Sequence, residues 1–428
     1  MVYLKLDELS ISGTLEKRIQ NAEEVANKDS FDDSDTSYNP TIIHCILIVG
    51  CCILFSAPTI IMPLHDTIRY PEYWYEGMIN FDLTFPIHWT CLIYLDAKTL
   101  HKVDSISSFW PCLRIYAICI FAYDVSYTLA YLVWTFVQEL NWPVPHAMQI
   151  FGYPAYMVFL TSVWYHFPRS MRSNQEEKRK IRAYICFYLW FIVMTIQYTF
   201  FNKLFESLQS KWQWVLAFIL PLVAMINKNV IKKLATKCAA CDDLYTTAYA
   251  NVTLGSQHSL FIAIAIGSLA TQTTIYCLFL SKFLIDLLYC YKIMKIQQRV
   301  IPGADGMEQI IERRDKAVAT LALAEIMEVL VPMIYGINLT IAYYGPNSTV
   351  LGNIGNGYWQ YRAMTDLTAT LKSVSMMFLV DLISGILIGM ALKLKFSINL
   401  FKICHEMIQK YWPLMAIKIA TLTARVIY

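Results

Sequence analysis

The feature that most constrains this chain is a series of apolar runs, each about as long as a bilayer is thick. The first and clearest is TIIHCILIVGCCILFSAPTIIMPL at 41–64, and a helix needs about 20 residues to cross the hydrocarbon core. Only 16% of the residues are charged and the mean hydropathy is +0.42, whereas about a quarter of the residues in soluble domains are charged. The sequence therefore predicts an all-α polytopic integral membrane protein.

Nine segments are predicted to cross or enter the membrane, giving about 8–9 transmembrane helices. Two of them are irregular, because 78–95 contains Pro86 and 212–227 is both short and interrupted by Pro221. The segments are 41–64, 78–95, 114–137, 145–167, 184–201, 212–227, 259–281 (within an apolar run that continues to 290), 317–344 and 374–392.

Lys and Arg orient these segments. Six lie in 169–182, six in 292–316 and six after Leu392. Short loops rich in Lys and Arg stay on the cytoplasmic side, so we expect these regions and both termini to be cytoplasmic. Arg69 is the single Lys or Arg in the loops predicted to face away, which are 65–77, 138–146 and 345–361.

This orientation creates a parity problem. Two cytoplasmic loops must be joined by an even number of crossings, yet three apolar segments separate 169–182 from 292–316. We predict that 212–227 is re-entrant, which leaves eight crossings but places the lysines of 228–237 outside. The alternative keeps nine crossings and puts one basic loop on the wrong side.

The two ends of the chain differ from the 41–395 transmembrane domain. Residues 1–40 contain nine acidic residues against four Lys and Arg, which predicts a largely disordered cytoplasmic tail. In 396–428, apolar residues recur at helical spacing with basic residues on other faces, as in an interfacial amphipathic helix. A tenth span is the alternative interpretation, which Lys418 and Arg425 disfavour.

Two glutamates interrupt the apolar run TLALAEIMEVLVP at 320–332. Their spacing of three places Glu325 and Glu328 on one helix face. Each charge at the centre of a bilayer costs about 2.5–3.5 kcal/mol on insertion scales. Two carboxylates this close do not both ionise easily, so the pair predicts a cation- or proton-binding site, with a structural ion pair to another span as the alternative.

The neighbouring sequence extends this candidate site. Pro332 lacks the N–H that would bond the carbonyl of Glu328, which leaves a second oxygen free there. Asp381, Gly385 and Gly389 recur every four residues, and such small-residue stripes allow close helix packing. We therefore expect 374–392 to pack antiparallel against 317–344 and to bring a third carboxylate to the glutamates.

The remaining signals are weaker. Asp124 is a fourth embedded acid without an assignable partner, and Lys282 and Asp286 are spaced to pair with each other at i and i+4. Asn347 belongs to an Asn-Ser-Thr sequon in a predicted outside loop, so it is a glycosylation candidate. No metal site is predicted, because the lone CxxC at 238–241 lacks two further ligands.

These features favour a secondary transporter of a small solute, coupled to a proton or monovalent cation. No P-loop or dinucleotide motif and no clustered histidines are present, so neither an enzyme nor a bound cofactor is predicted. A membrane scaffold or complex subunit and a homo-oligomeric channel are the alternatives, with an embedded hydrolase or transferase less favoured. The expected partners are the bilayer and the coupling ion, and not nucleic acid.

Overall fold

The computed structural model describes residues 39–61, 109–137, 157–158, 161–162, 164–165, 169–239, 244–268, 272–298, 307–345 and 367–427. Within these residues the chain is helical and has no strand, which confirms the all-α class. The acidic tail before residue 39, the predicted segment 78–95 and the Asn347 sequon lie outside the described residues, as does most of 145–167.

The described helices are numbered in chain order. They are α1 (Asn39–Ile61), α2 (Phe109–Val137), α3 (Arg169–Ser173), α4 (Gln175–Ser207), α5 (Ser210–Ala239), α6 (Leu244–Ser268), α7 (Gln272–Gln297), α8 (Met307–Tyr344), α9 (Leu367–Phe396) and α10 (Leu400–Ile427).

Five of these helices are long and apolar enough to cross a membrane. They provide the stretches Gln175–Tyr198 of α4, Lys211–Ala239 of α5, Thr274–Gln297 of α7, Gln309–Tyr344 of α8 and Leu367–Phe396 of α9. A shorter apolar stretch, Pro40–Leu54, lies in α1. Five such helices in one chain indicate a multi-pass integral membrane protein.

Helices α4 to α9 form a bundle in which successive helices run in opposite directions. Two contacts between the same pair of helices give their relative direction. If the contact with the higher residue number in one helix also has the higher residue number in the other, the helices are parallel. If it has the lower number there, they are antiparallel. Parallel pairs are α4 with α6 (Thr195–Gln257, Tyr198–His258), α5 with α7 (Ala217–Ser281, Lys228–Tyr289) and α6 with α8 (Asn251–Thr320, Gly255–Met327). Antiparallel pairs are α4 with α5 (Phe205–Gln213, Gln197–Asn227), α7 with α8 (Gln297–Arg314, Lys282–Glu328) and α8 with α9 (Glu325–Gly385, Gly336–Val374).

Helix α6 is the polar centre of the bundle. It packs against α4, α5, α8, α9 and α10. Its buried polar side chains are Thr246, Thr247, Asn251, Thr253, Ser256, Gln257 and Ser259. These groups are sheltered by neighbouring helices, so α6 need not be as apolar as the helices around it.

The structure corrects two of the predicted segments. The proposed re-entrant piece 212–227 lies inside the continuous 30-residue helix α5. The run 259–290, read as one span, belongs to two antiparallel helices, α6 and α7. Four helices, α4 to α7, therefore lie between the two basic regions, and three of them, α4, α5 and α7, are long and apolar enough to cross a membrane.

Pro221 does not break α5 because another helix satisfies the carbonyl that it leaves free. Proline lacks an N–H, so the carbonyl four residues earlier loses its helical donor. That carbonyl belongs to Ala217, and Ser281 Oγ of α7 donates to it at 3.0 Å. A side-chain donor from a neighbouring helix thus permits the full-length helix.

The alternation brings the basic loops together. One end of the bundle, here called the basic end, contains the starts of α4, α6 and α8 and the ends of α5, α7 and α9. Exposed cations at this end are Arg179, Arg182, Lys232, Lys233, Lys237, Lys292, Lys295, Arg313, Lys393 and Lys395. The 228–237 lysines therefore lie with the other basic regions and not opposite them.

Helix α10 crosses the bundle obliquely near the basic end. Phe401 contacts Gly389 of α9, Cys404 the carbonyl of Ala322 in α8, and Lys418 the hydroxyl of Tyr249 in α6. Residues 401–418 advance about 25 Å along their helix. The contacted positions nevertheless lie at similar levels along the bundle, so α10 does not continue the alternation as a further span.

Helix α1 runs beside α10 and not along the bundle. Contacts of Thr41 with His405 and of Cys52 with the carbonyl of Ala416 have the same separation of 364 residues, which is the pattern of two parallel helices. The segment predicted as the clearest span thus follows the oblique course of α10. Cys52, where α1 contacts α10, is fully buried.

Candidate functional site

A lysine in the bundle interior joins three helices. Lys282 of α7 places its ammonium 3.1 Å from a carboxylate oxygen of Glu328 in α8, and it also forms an ion pair with Asp381 of α9. The two antiparallel pairings, α7 with α8 and α8 with α9, bring these side chains to one level. The predicted local pair between Lys282 and Asp286 is wrong, because the ammonium bridges helices instead.

Two more carboxylates complete the group. Asp286 and Glu325 are buried, with 4% and 6% of their surfaces exposed. One oxygen from each of Asp286, Glu325 and Glu328 lies within 4.8 Å of the others. We call Asp286, Glu325, Glu328 and Asp381 the acidic cluster.

The charges of the acidic cluster are not balanced by Lys282 alone. Four carboxylates surround one ion-paired ammonium, and one oxygen each of Glu325 and Asp381 is buried without a hydrogen-bond donor in the described residues. An ionised carboxylate buried without a partner is strongly unfavourable. Lys228 is a second ammonium that acts on Asp286 and Glu328 from the cavity wall, so four ionised carboxylates would still exceed the two nearby positive charges. Three convergent carboxylate oxygens are ligands that hard cations accept.

The glycines of α9 serve two different contacts. A Cβ added at Gly385 would lie 2.8 Å from Oε2 of Glu325, so the missing side chain leaves the space that this carboxylate occupies. A Cβ at Gly389 would lie 3.0 Å from the ring of Phe401 in α10. The glycine stripe expected to face α8 thus faces α8 at Gly385 and α10 at Gly389.

Pro332 lies buried in α8, one turn beyond Glu328, and the helix continues through it. The carbonyl that Pro332 leaves without its helical donor is that of Glu328. The same residue thus carries a carboxylate of the acidic cluster and a backbone oxygen freed by proline.

A cavity of about 90 Å³ adjoins the acidic cluster. It lies between α5, α6, α7 and α8, and its polar wall contains Lys228, Asn251, His258, Lys282, Asp286, Tyr289 and Glu328. The Lys228 ammonium lies 4.1 Å from the centre of the Tyr289 ring, and His258 Nδ1 is 3.0 Å from the Tyr198 hydroxyl. At about 30 Å³ per water, the cavity has room for about three water molecules.

The structure does not bring every predicted residue to this site. Asp124 is half-buried on α2, which packs extensively against none of the other described helices. Cys238 of the CxxC is buried in α5, whereas Cys241 lies outside the described residues. The sequence reasoning missed Lys228 and assigned Asp286 to the wrong partner, although an ionisable residue inside an apolar run was the available signal for both.

Comparisons with known proteins supply no relative. No family model, no curated protein and no solved structure matches this chain.

Proposed function

We propose that the protein is a secondary transporter that couples the movement of a small solute to a proton or a monovalent cation. The observation that supports this most directly is the surplus of negative charge in the acidic cluster, beside a cavity inside a bundle of membrane-spanning length. Such a surplus requires a bound proton or cation. Binding and release of that ion is the elementary step of ion-coupled transport.

In this proposal Lys282 is an internal cation that competes with the coupling ion. When a proton or cation neutralises Glu325 and Glu328, the attraction between Lys282 and Glu328 weakens. The contact between α7 and α8 is then less favourable, while the ion pair between Lys282 and Asp381 keeps α7 in contact with α9. Ion binding would thus weaken the contact of α7 with α8 and keep its contact with α9, which would shift the population of the bundle from one packing arrangement towards another.

We further propose that the basic end faces the cytoplasm and that α10 lies along the membrane interface there. Exposed Lys and Arg from five helices share that end, as the positive-inside tendency favours. The oblique course of α10 and the exposure of Glu406, Gln409 and Lys410 on one side of it suit an interfacial helix.

A membrane scaffold is the second candidate, because one lysine holding α7, α8 and α9 together is also what a purely structural ion pair would do. The two candidates differ in what neutralisation of the unpaired Glu325 does. A structural role predicts altered stability, whereas a coupling role predicts lost flux in a protein that still folds.

The test compares wild type with Glu325→Gln and with Glu312→Gln, a matched change at an exposed position of the same helix. Each purified protein is placed in liposomes containing a pH-sensitive dye, and small solutes are added under a proton gradient. We expect solute-dependent pH changes in wild type and Glu312→Gln, reduced by about tenfold or more in Glu325→Gln, which corresponds to about 1.4 kcal/mol. Melting temperatures should agree among the three proteins.

The infrared band of a neutral carboxylic acid provides a solute-independent readout. We expect a pH-sensitive band in wild type that is lost in Glu325→Gln and kept in Glu312→Gln. The coupling role is rejected if the band is unaffected by Glu325→Gln and this variant changes only the melting temperature.

A further inference from the structure

The cavity beside the acidic cluster presents a cation, Lys228, that has no carboxylate of the described residues within ion-pair distance. Asp286 and Glu328 act on its charge only from farther away. Lys228 lies on the cavity wall with its ammonium over the Tyr289 ring. Within the described residues, Lys228 forms no ion pair, whereas Lys282 on the same wall has two. An aromatic ring stabilises an ammonium less than a carboxylate in a desolvated site does, so Lys228 has capacity for an anionic group.

The same cavity wall also carries carboxylates that a cation would neutralise. Asp286 and Glu328 line the cavity, and their oxygens lie within 4.8 Å of Glu325. Glu325 is not itself part of the cavity wall, but it is buried beside these two carboxylates, and one of its oxygens has no donor among the described residues. Its charge therefore adds to the negative charge on this side of the cavity. This side of the cavity therefore has capacity for a cationic group with hydrogen-bond donors.

We infer that the cavity binds a small zwitterion, such as an amino acid with a short side chain. Its carboxylate would lie against Lys228, and its ammonium against Asp286 and Glu328. A simple amine would satisfy the carboxylates and leave Lys228 unmatched, whereas a simple carboxylic acid would do the reverse. This inference rests on the proposed transport function and specifies its substrate class.

The size and the remaining wall of the cavity limit the solute further. A volume of about 90 Å³ suits a molecule with a few heavy atoms better than a nucleotide or a sugar phosphate. Leu254, Ile262 and Leu278 form apolar wall, so a short aliphatic side chain would find apolar contact there. Alanine is therefore a better probe than glycine or aspartate.

The experiment measures binding to the full-length protein in detergent by isothermal titration calorimetry. The probes are alanine, ethylamine and propionate, which share the same small skeleton and differ in the charged groups that they carry. We expect alanine to bind and the two single-charge analogues to bind at least about tenfold more weakly. Lys228→Met should weaken alanine binding by a similar factor, because a buried charge partner is lost.

Lys232→Met is the matched control, since Lys232 is exposed one helical turn further along α5. It should bind alanine as wild type does. The inference is overturned if ethylamine binds as tightly as alanine and Lys228→Met has no effect, which would indicate an amine site. It is also overturned if none of the three probes binds.

These outcomes are independent of the transport test. Alanine binding without solute-dependent pH changes would retain the zwitterion site and reject ion coupling. Ion-coupled flux of another solute without alanine binding would retain the transporter and reject the zwitterion.

Discussion

At the scale of single residues, the contact between Gly385 and Glu325 determines how closely α8 and α9 approach at the acidic cluster. Glu325 occupies the space where a side chain of residue 385 would be. At Gly336, farther along the same interface, an added Cβ would be 3.6 Å from Val374 and 3.7 Å from Leu371, which is ordinary van der Waals contact. The two glycines thus differ in what surrounds them, although both lie between the same helices.

This difference predicts opposite results for the same substitution. Gly385→Ala should lower the free energy of unfolding by up to about 1 kcal/mol, because the buried Glu325 carboxylate must move and the gain in helix propensity offsets only part of that cost. Gly336→Ala should be neutral or stabilising by up to about 1 kcal/mol, since alanine favours helix over glycine. Chemical denaturation in detergent measures both.

A second substitution identifies the cause of the Gly385 effect. With Glu325→Ala in the background, Gly385→Ala has no carboxylate to displace and its cost should largely vanish. If the cost of Gly385→Ala stays the same without the Glu325 carboxylate, the proposed steric cause is wrong.

The partners of Lys282 illustrate what sequence reasoning reaches at this scale. The i, i+4 spacing selects Asp286 as a local partner, and Glu325, Glu328 and Asp381 stand out because charges are rare in spans. The choice between Asp286 on the same helix and Glu328 or Asp381 on others depends on the rotation and register of three packed helices. Those quantities arise from packing across the whole bundle, so a single helical pattern does not contain them.

At the scale of elements, the turn between α9 and α10 redirects the chain from along the bundle to across it. Ser397 has a φ of 56°, a left-handed conformation that glycine adopts without strain. Two residues later, Asn399 Oδ1 accepts a hydrogen bond from the backbone N–H of Lys402, which caps the start of α10. The direction of α10 therefore depends on two neighbouring positions with different local roles.

Substitutions at these positions should change stability in opposite directions. Ser397→Gly should raise the free energy of unfolding by about 1 kcal/mol, because it removes the left-handed strain. Asn399→Ala should lower it by about 1 kcal/mol, because the cap is lost. Denaturation in detergent provides the measurement, with the exposed Gln409→Ala of α10 as the control. If Ser397→Gly and Asn399→Ala change the free energy of unfolding in the same direction, this explanation of the turn is wrong.

Element boundaries also show why the sequence misplaced two helix limits. Periodicity and length identify α8 and α9 well, since each is a single apolar run flanked by polar residues. In 259–290 the end of α6 and the start of α7 are both apolar, so hydropathy does not mark the point at which the chain reverses. In α5 the sequence predicts an interruption where the helix continues. Pro221 suggests the interruption, and the hydrogen bond from the Ser281 hydroxyl to the freed carbonyl allows the helix to continue.

At the scale of the whole molecule, the serial alternation of α4 to α9 determines the distribution of charge. Each return of the chain brings another basic segment to the same end, whereas the opposite end carries few cations among the described residues, Lys211 being one that is exposed. In a membrane this asymmetry favours one orientation over its inverse. It also makes the placement of 228–237 a sensitive test of the fold, since a re-entrant 212–227 would put that segment on the other side.

Single-cysteine labelling in a background lacking reactive native cysteines distinguishes the two folds. Lys232→Cys, Lys295→Cys and Arg313→Cys occupy exposed positions on α5, α7 and α8 at the basic end, so all three should react with a membrane-impermeant maleimide only when the cytoplasmic face is accessible. Lys211→Cys, at the opposite end of α5, should react only from the other face. Labelling of Lys211→Cys and Lys232→Cys from the same face would show that α5 does not cross the membrane. Labelling of Lys232→Cys and Arg313→Cys from opposite faces would show that α6 and α7 do not both cross it, and either result would make the alternating bundle incorrect.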